Sequence, residues 1–277
     1  MSTPEESVTQ DSGAPKNLWE RFTSLPTESM SNTLIVTITL CLFCSMVVSG
    51  FAVALRPIQE ANKLEDKRKN ILQVAGLYEE GKDVDETFKS VEPRIVDLKT
   101  GKFTEAVDVN TYEQRAAAKD PAQSVALDAD PAGIRRQAKY ASVYIIRDGA
   151  GDIDKIILPV HGYGLWSTLY GFVALERDAN QVAALQFYEH AETPGLGAEV
   201  DNPKWRASWT GKKIYGSDGK VKLAIAKGVP AKDNVDYHID ALAGATLTTR
   251  GVDNLIQFWM GEQGFKPFLD NLKKGAA

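Results

Sequence analysis

Cysteine and histidine are nearly missing from this chain. Two cysteines in 277 residues, Cys41 and Cys44, cannot build a disulfide framework. The three histidines, His161, His190 and His238, do not fall in metal-ligand spacing, and neither H-E-x-x-H nor G-x-S-x-G occurs. Each is read as a surface or hydrogen-bonded residue, not as a catalytic base. An excess of positive charge is missing too. The 32 basic side chains face 37 acidic ones, a net charge of −5, which leaves no electrostatic footprint for nucleic acid. No internal repeat is present, and the glycine and lysine spacings of a dinucleotide fingerprint or a Walker loop are absent. With 25% charged and 43% hydrophobic residues, the proportions are those of a globular protein. They exclude a disordered chain, a collagen-like chain and an all-membrane transporter.

One long uncharged run breaks that average. Ser29 to Leu55 holds 27 residues without a charge, and Leu34 to Leu55 is apolar almost throughout. As a helix, 22 residues at about 1.5 Å each span roughly 33 Å, enough for a hydrocarbon core of about 30 Å. A cleaved signal peptide is the competing reading, because Ala52-Val53-Ala54 mimics a cleavage site. Against it, the run is longer than a typical signal core and the leader ahead of it carries 2 basic and 5 acidic residues. A retained single-pass anchor is expected. Cys41 and Cys44 lie inside this span at i and i+3, one helix face. Two thiols are too few for a zinc or iron–sulfur site unless a partner supplies more.

Charge near the span favours a cytoplasmic main domain if counted alone. Lys16 and Arg21 precede the span, whereas Arg56, Lys63, Lys67, Arg68 and Lys69 follow it. The rule weakens for long translocated domains.

The chain divides into a polar leader over 1–33, a transmembrane helix over 34–55, a connecting helical and hairpin region over 56–140 and a main domain over 141–277. Pro57 is expected to start a new helix, with Ile58, Ala61, Leu64, Ile71, Leu72 and Ala75 on its apolar side. Arg94–Leu98, a Thr-Gly-Lys turn and Phe103 read as a short hairpin, and 108–138 as loop plus short helix. Ala141–Arg147 and Ile153–Pro159, joined through Asp148–Asp152, predict a second hairpin. Further strands are expected at Tyr170–Glu176, Val182–Glu189 and Lys222–Lys227. Val252, Leu255, Ile256, Trp259 and Met260 form one stripe of an amphipathic helix capped by Thr248 or Thr249. A short helix with Phe265, Phe268, Leu269 and Leu272 on one face follows. Strands do not alternate with helices, so the fold class is α+β: a mixed or antiparallel sheet flanked by helices, preceded by one N-terminal transmembrane helix.

Three segments have residue choices that packing alone does not explain: Gly162–Thr168, His190–Gly197 and Asp240–Thr249. In the third, Gly244 and Ala245 allow close approach to the backbone. The helix start behind them suits a phosphate, with the Thr246 hydroxyl at that position. A Ser/Thr-rich cap over small packed residues accounts for the same letters, and both readings stay open on the residues alone.

Asp240-Ala241-Leu242-Ala243-Gly244-Ala245-Thr246 resembles the flavinylation motif Asp-x-x-Ser/Thr-Gly-Ala-Thr of the covalent FMN-binding domain family, with Ala243 departing from the pattern. The resemblance implies FMN joined to Thr246 through a phosphoester, and Asp240 as a recognition residue for a flavin transferase. Gly164-Leu165-Trp166-Ser167 and Glu192-Thr193-Pro194-Gly195-Leu196-Gly197 look like the family's FMN-contacting loops. The implied cofactor site comprises Leu165, Trp166, Ser167, Glu192, Thr193, Leu196, Lys227, Asp240, Leu242, Gly244, Ala245, Thr246, Leu247 and Thr248. Within it, Glu192 and Thr193 would hydrogen-bond the flavin edge or ribityl chain, and Lys227 would pair with phosphate or a flavin carbonyl. With its anchor and the long stretch before the domain, the whole chain resembles the C-subunit family of the sodium-translocating NADH:quinone oxidoreductases. That implies an electron relay in a six-subunit bacterial inner-membrane complex reducing ubiquinone, with the large domain periplasmic, against the charge count. The alternatives are the G-type flavin subunit of an Rnf complex, a non-redox membrane-anchored scaffold, and a sensor with noncovalent flavin.

Overall fold

The structure, a computed structural model, describes Asn17 and residues 29–277, so most of the polar leader lies outside the described residues. Helix α1 (Met30–Ala75) is 46 residues long, roughly 69 Å at about 1.5 Å per residue, and contains the whole predicted span. It is long and apolar enough to cross a membrane. The expected new start at Pro57 is corrected, because the helix runs through that proline. Pro57 removes one N–H from the ladder and leaves the remaining bonds to carry the helix. Of the apolar side expected beyond it, Ile71, Leu72 and Ala75 are buried while Ile58, Ala61 and Leu64 are not.

The chain forms two compact units, Met1–Lys63 and Leu64–Ala277. In the second, α2 (Val84–Phe88) opens on Asp83, whose carboxylate accepts from the N–H groups of Asp85 and Glu86. There follow β1 (Val91–Asp97), β2 (Lys102–Phe103), α3 (Gln114–Lys119), β3 (Ser124–Ala126) and β4 (Arg136–Ala138). Next come β5 (Tyr140–Arg147), β6 (Ile153–Tyr163), β7 (Thr168–Glu176), β8 (Val182–Glu189) and α4 (Pro203–Ala207). The chain closes with β9 (Ala224–Ala226), β10 (His238–Asp240), α5 (Thr246–Trp259) and α6 (Lys266–Lys273).

The main sheet has the order β2-β1-β5-β6-β7-β8, and every neighbouring pair is antiparallel. Two of its strands, β1 and β2, come from within residues 56–140. A β3–β4 ribbon stands where only loop and helix were expected, because its three-residue strands are too short for a period to show. The small β9–β10 pair is parallel.

Side chains alternate between the two faces of the sheet, and each face has a cover. Val143, Ile145, Ile156, Leu158, Val160, Val173 and Leu175 join the core with Val252, Leu255, Ile256 and Trp259 of α5 and Phe268 and Leu269 of α6. Tyr144, Ile146, Ile157, Phe172 and Ala174 pack on the other face with Ile71, Leu72, Val74 and Ala75 of α1. A sheet covered twice explains the unbroken apolar runs of β5 and β7.

Strand limits matter for the site. Strand β6 continues through Gly162 and Tyr163, and β7 starts at Thr168, so only Gly164–Ser167 of the segment Gly162–Thr168 is loop. It is closed by the Gly164 N–H donating to the Ser167 carbonyl at 2.8 Å. Helix α5 lies close against this strand end. A Cβ at Gly162 would stand 2.6 Å from Leu255 Cβ, and one at Gly251 would stand 2.4 Å from the Tyr163 carbonyl oxygen.

His161 is stacked on Tyr170 and tilted against Trp259. Desolvation in this setting, with the Arg115 charge nearby, lowers its pKa from 6.5 to about 4. The unfolded chain therefore binds a proton between those values that the folded one does not, so stability falls as pH drops through that window. His161→Phe keeps an aromatic ring and cannot protonate. Denaturant unfolding of the detergent-solubilised chain should show wild type losing stability relative to the variant from pH 6.5 to 4, by up to about 3 kcal/mol.

Candidate functional site

A single carboxylate draws the three segments together. Glu192 follows β8 and is 5% exposed. Its Oε1 accepts from the backbone N–H groups of Leu165 at 3.0 Å, Trp166 at 3.0 Å and Ser167 at 3.4 Å. Its Oε2 accepts from the Thr248 hydroxyl of α5 at 2.5 Å. A buried charge is tolerable only when its lone pairs are satisfied in this way. Burial alone would raise the Glu192 pKa, but the Thr248 hydroxyl and the three loop N–H groups together hold it below the ordinary carboxylate value. Glycine is required on both sides of this carboxylate. A Cβ at Gly164 would come within 2.6 Å of Oε1, and one at Gly197 within 2.6 Å of Oε2 and of the Thr248 hydroxyl.

Glu192 and Thr193, both expected to contact the flavin, also bond within the protein. The Glu192 carboxylate is turned inward and spends its acceptors on the protein. The Thr193 hydroxyl accepts from the Trp166 indole N–H at 3.1 Å. Ser167 is also used internally, its hydroxyl accepting from the Ala191 N–H at 2.7 Å.

The expected caps of α5 are corrected as well. The helix begins at Thr246, its N-cap is Ala245, and no side chain caps it. Thr248 and Thr249 sit inside the first turn with hydroxyls already committed. Thr248 binds Glu192, and Thr249 accepts from the Leu242 N–H at 3.2 Å. Thr248 is 1% exposed, and Leu242 and Ala245 are likewise buried, so these three predicted residues present no side chain to solvent.

Thr246 differs from its neighbours. It is exposed, and Lys227, just past β9, donates to its hydroxyl at 3.4 Å. The first turn of an α-helix leaves N–H groups without intrahelical partners, and with no side-chain cap these stay available to an anion. Gly244 takes φ +72°, a left-handed turn into the helix, and Leu196 packs against it. Around this mouth stand exposed apolar side chains: Trp166 at 65%, Leu247 at 52%, Leu196 and Leu165. Asp240, exposed at the end of β10, lies within 3.0 Å of His238 Nε2, and its carbonyl accepts from the Trp205 indole at 2.9 Å.

The arrangement offers an anion site with a hydroxyl and a lysine, next to an apolar surface. It fits a molecule that carries a phosphate and a flat aromatic ring. Two residues that build it escape a sequence reading. Gly251 has a signal, an isolated glycine inside an amphipathic helix. Asp201, which pairs with His190, has none. Among the described residues no group of His, Cys, Asp or Glu could hold a metal ion.

Replacing Glu192 by Gln keeps the shape and removes the charge. A carboxylate held below its ordinary value stabilises the fold above that value, and this is lost as pH falls through the lowered one. At neutral pH, unfolding of Glu192→Gln should show a loss of about 1–3 kcal/mol. The gap to wild type should close as pH drops below the usual carboxylate range.

Residues 164–261 match the FMN-binding domain model, a stretch that contains the second and third segments and the first from Gly164 onward. The chain is 50% identical over 258 residues to the C subunit of the Na(+)-translocating NADH-quinone reductase of Pseudomonas aeruginosa, covering 90% of this chain and 98% of that one. It is 47% identical over 252 residues to the same subunit of Haemophilus ducreyi, covering 90% and 96%. The crystal structure of Shewanella oneidensis NqrC shares its fold with a TM-score of 0.72 at 35% identity, covering 77% of this chain and 99% of that one. The chain belongs to the C-subunit family of the Na(+)-translocating NADH-quinone reductases.

Proposed function

We propose that this subunit holds FMN through a phosphoester on the Thr246 hydroxyl and relays electrons within a membrane-bound, sodium-translocating NADH:quinone reductase. The observation that carries the attachment site is the fate of the hydroxyls in the first turn of α5. Thr248 and Thr249 are tied to Glu192 and to the Leu242 N–H, while Thr246 stands exposed beside Lys227. The relatives' identity and coverage favour this reading over an Rnf-type subunit or a non-redox scaffold.

Bound FMN supplies the redox chemistry, and the protein supplies binding, orientation and electrostatics. The open first turn of α5 and the Lys227 ammonium would share the phosphate charge. Trp166, Leu165, Leu196 and Leu247 would cover apolar ring surface and keep water from it. The Trp166 indole is held in place through Thr193, and its backbone through Glu192. Covalent attachment makes occupancy independent of free FMN, which matters on the dilute periplasmic side where we place the domain. Thr246 is paired with a donor and with no base among the described residues. A threonine hydroxyl without a base is a weak nucleophile, so a separate flavin transferase, recognising Asp240, would install the group.

The apolar part of α1 would anchor the subunit in the bacterial inner membrane. One span cannot form an ion pathway by itself, so sodium movement belongs to the other members of a six-subunit complex.

Intact-mass analysis of the chain from its native host tests the reading. An increment of about 438 Da, FMN less water, is expected. Thr246→Ala should abolish it, and Thr246→Ser should retain it. Thr249→Ala, which spares the exposed hydroxyl, should retain it too. A bare polypeptide mass in wild type would defeat the proposal.

A further inference from the structure

His190 makes two hydrogen bonds that fix its ring in one orientation and one tautomer. Its Nδ1 faces the Glu192 backbone N–H at 3.2 Å and can therefore only accept there. Its proton then lies on Nε2, which is 2.8 Å from Asp201 Oδ2. The side chain is 11% exposed, while Asp201, its outer partner, is half in solvent. Asp201 ends the short 3-10 turn Gly197–Asp201. The imidazole thus closes the loop from residue 190 to residue 201, which carries Glu192, Thr193 and Leu196. The intervening Ala191 N–H is tied to Ser167. Three consecutive residues, 190 to 192, are each pinned, and the last of them holds the backbone of Leu165, Trp166 and Ser167.

We propose that His190 is a positioning residue for the FMN-facing loops, acting through Glu192 by bridging the Asp201 carboxylate to the Glu192 backbone N–H. The inference rests on the flavin reading above and deepens it. Charged and hydrogen-bonding groups tune a flavin only if their distance to it is fixed. Glu192 is a buried carboxylate near the mouth, and its backbone is set by His190. Loosening that bridge should let the carboxylate and the Trp166 loop shift together.

The test uses the full chain in detergent with FMN attached. The reduction potential is followed by visible spectroelectrochemistry. The flavin-free Thr246→Ala chain, labelled with 5-fluorotryptophan, reports on Trp166 by 19F NMR. His190→Ala should move the reduction equilibrium about tenfold, 59 mV for a one-electron couple. It should also shift or broaden the Trp166 resonance. A potential and a resonance both equal to wild type would overturn the proposal. If His190→Ala does not accumulate, Asp201→Ala is judged by the same two signals, because it leaves the ring and removes its outer partner. Mass analysis of the same samples keeps the two readings apart. Wild type without the FMN increment defeats the covalent assignment, whereas FMN present with both signals unmoved defeats only the role of His190.

Discussion

Burying a carboxylate costs several kcal/mol unless nearly every lone pair finds a donor. In this fold the donors for Glu192 come from places that share no local sequence: three loop N–H groups after β6 and one hydroxyl on α5. None of these segments can move without stranding a charge. The mouth of the site inherits its rigidity from that constraint, since Trp166 and Thr246 are at or within two residues of a group that Glu192 binds, and Leu196 is four residues from Glu192 itself. The glycines at 164 and 197 follow from the same requirement, because a methyl group at either position would occupy the space of a carboxylate oxygen.

The sheet explains why α5 stands where Glu192 can reach it. Its stripe of Val252, Leu255, Ile256 and Trp259 is buried in the core against β6, and the Trp259 indole N–H donates to the His161 carbonyl at 2.7 Å. Gly162 and Gly251 allow helix and strand end to come into backbone contact. Apolar burial supplies most of the attraction, and the small residues set the distance. A larger side chain at Gly251 would meet the Tyr163 carbonyl and the Gly164 backbone, at the start of the loop whose next three N–H groups Glu192 binds.

The amphipathic helix, the central strands and the apolar span were legible in the sequence because each has a sustained period or run. The limits were less so. Strand β6 outran its expected end by four residues, because His161, Gly162 and Tyr163 look like a loop and are held as strand only by pairing with β7. The β3–β4 ribbon is too short to show a pattern. The site was legible as three motifs through a family resemblance, but the direction in which side chains point was not. Glu192 and Thr193 look like ligands for a cofactor, and the sequence does not show that both also make internal bonds, which exist only once loops far apart in sequence meet. Thr248 and Thr249 look like caps and instead tie the helix to its surroundings. Such misreadings arise wherever a polar residue can be satisfied locally or at long range, because composition does not distinguish the two.

The tripeptide Thr246-Leu247-Thr248 shows how little sequence the arrangement needs. At 3.6 residues per turn, successive side chains are about 100° apart, so Thr246 and Thr248 project in nearly opposite directions. One points to solvent beside Lys227 and the other into the core at Glu192. The proposed attachment point and its support are thus coupled by helix geometry alone. A helix start displaced by one residue would turn the buried hydroxyl away from Glu192 and the exposed one away from Lys227. The chain prevents this from both directions: the left-handed Gly244 fixes where the helix begins, and the Thr249 hydroxyl holds the Leu242 N–H just ahead of it. An uncapped N-terminus is ordinarily a weakness. Here it is the one place in the first turn where an anion can be received, and the neighbouring bonds keep it open and in register.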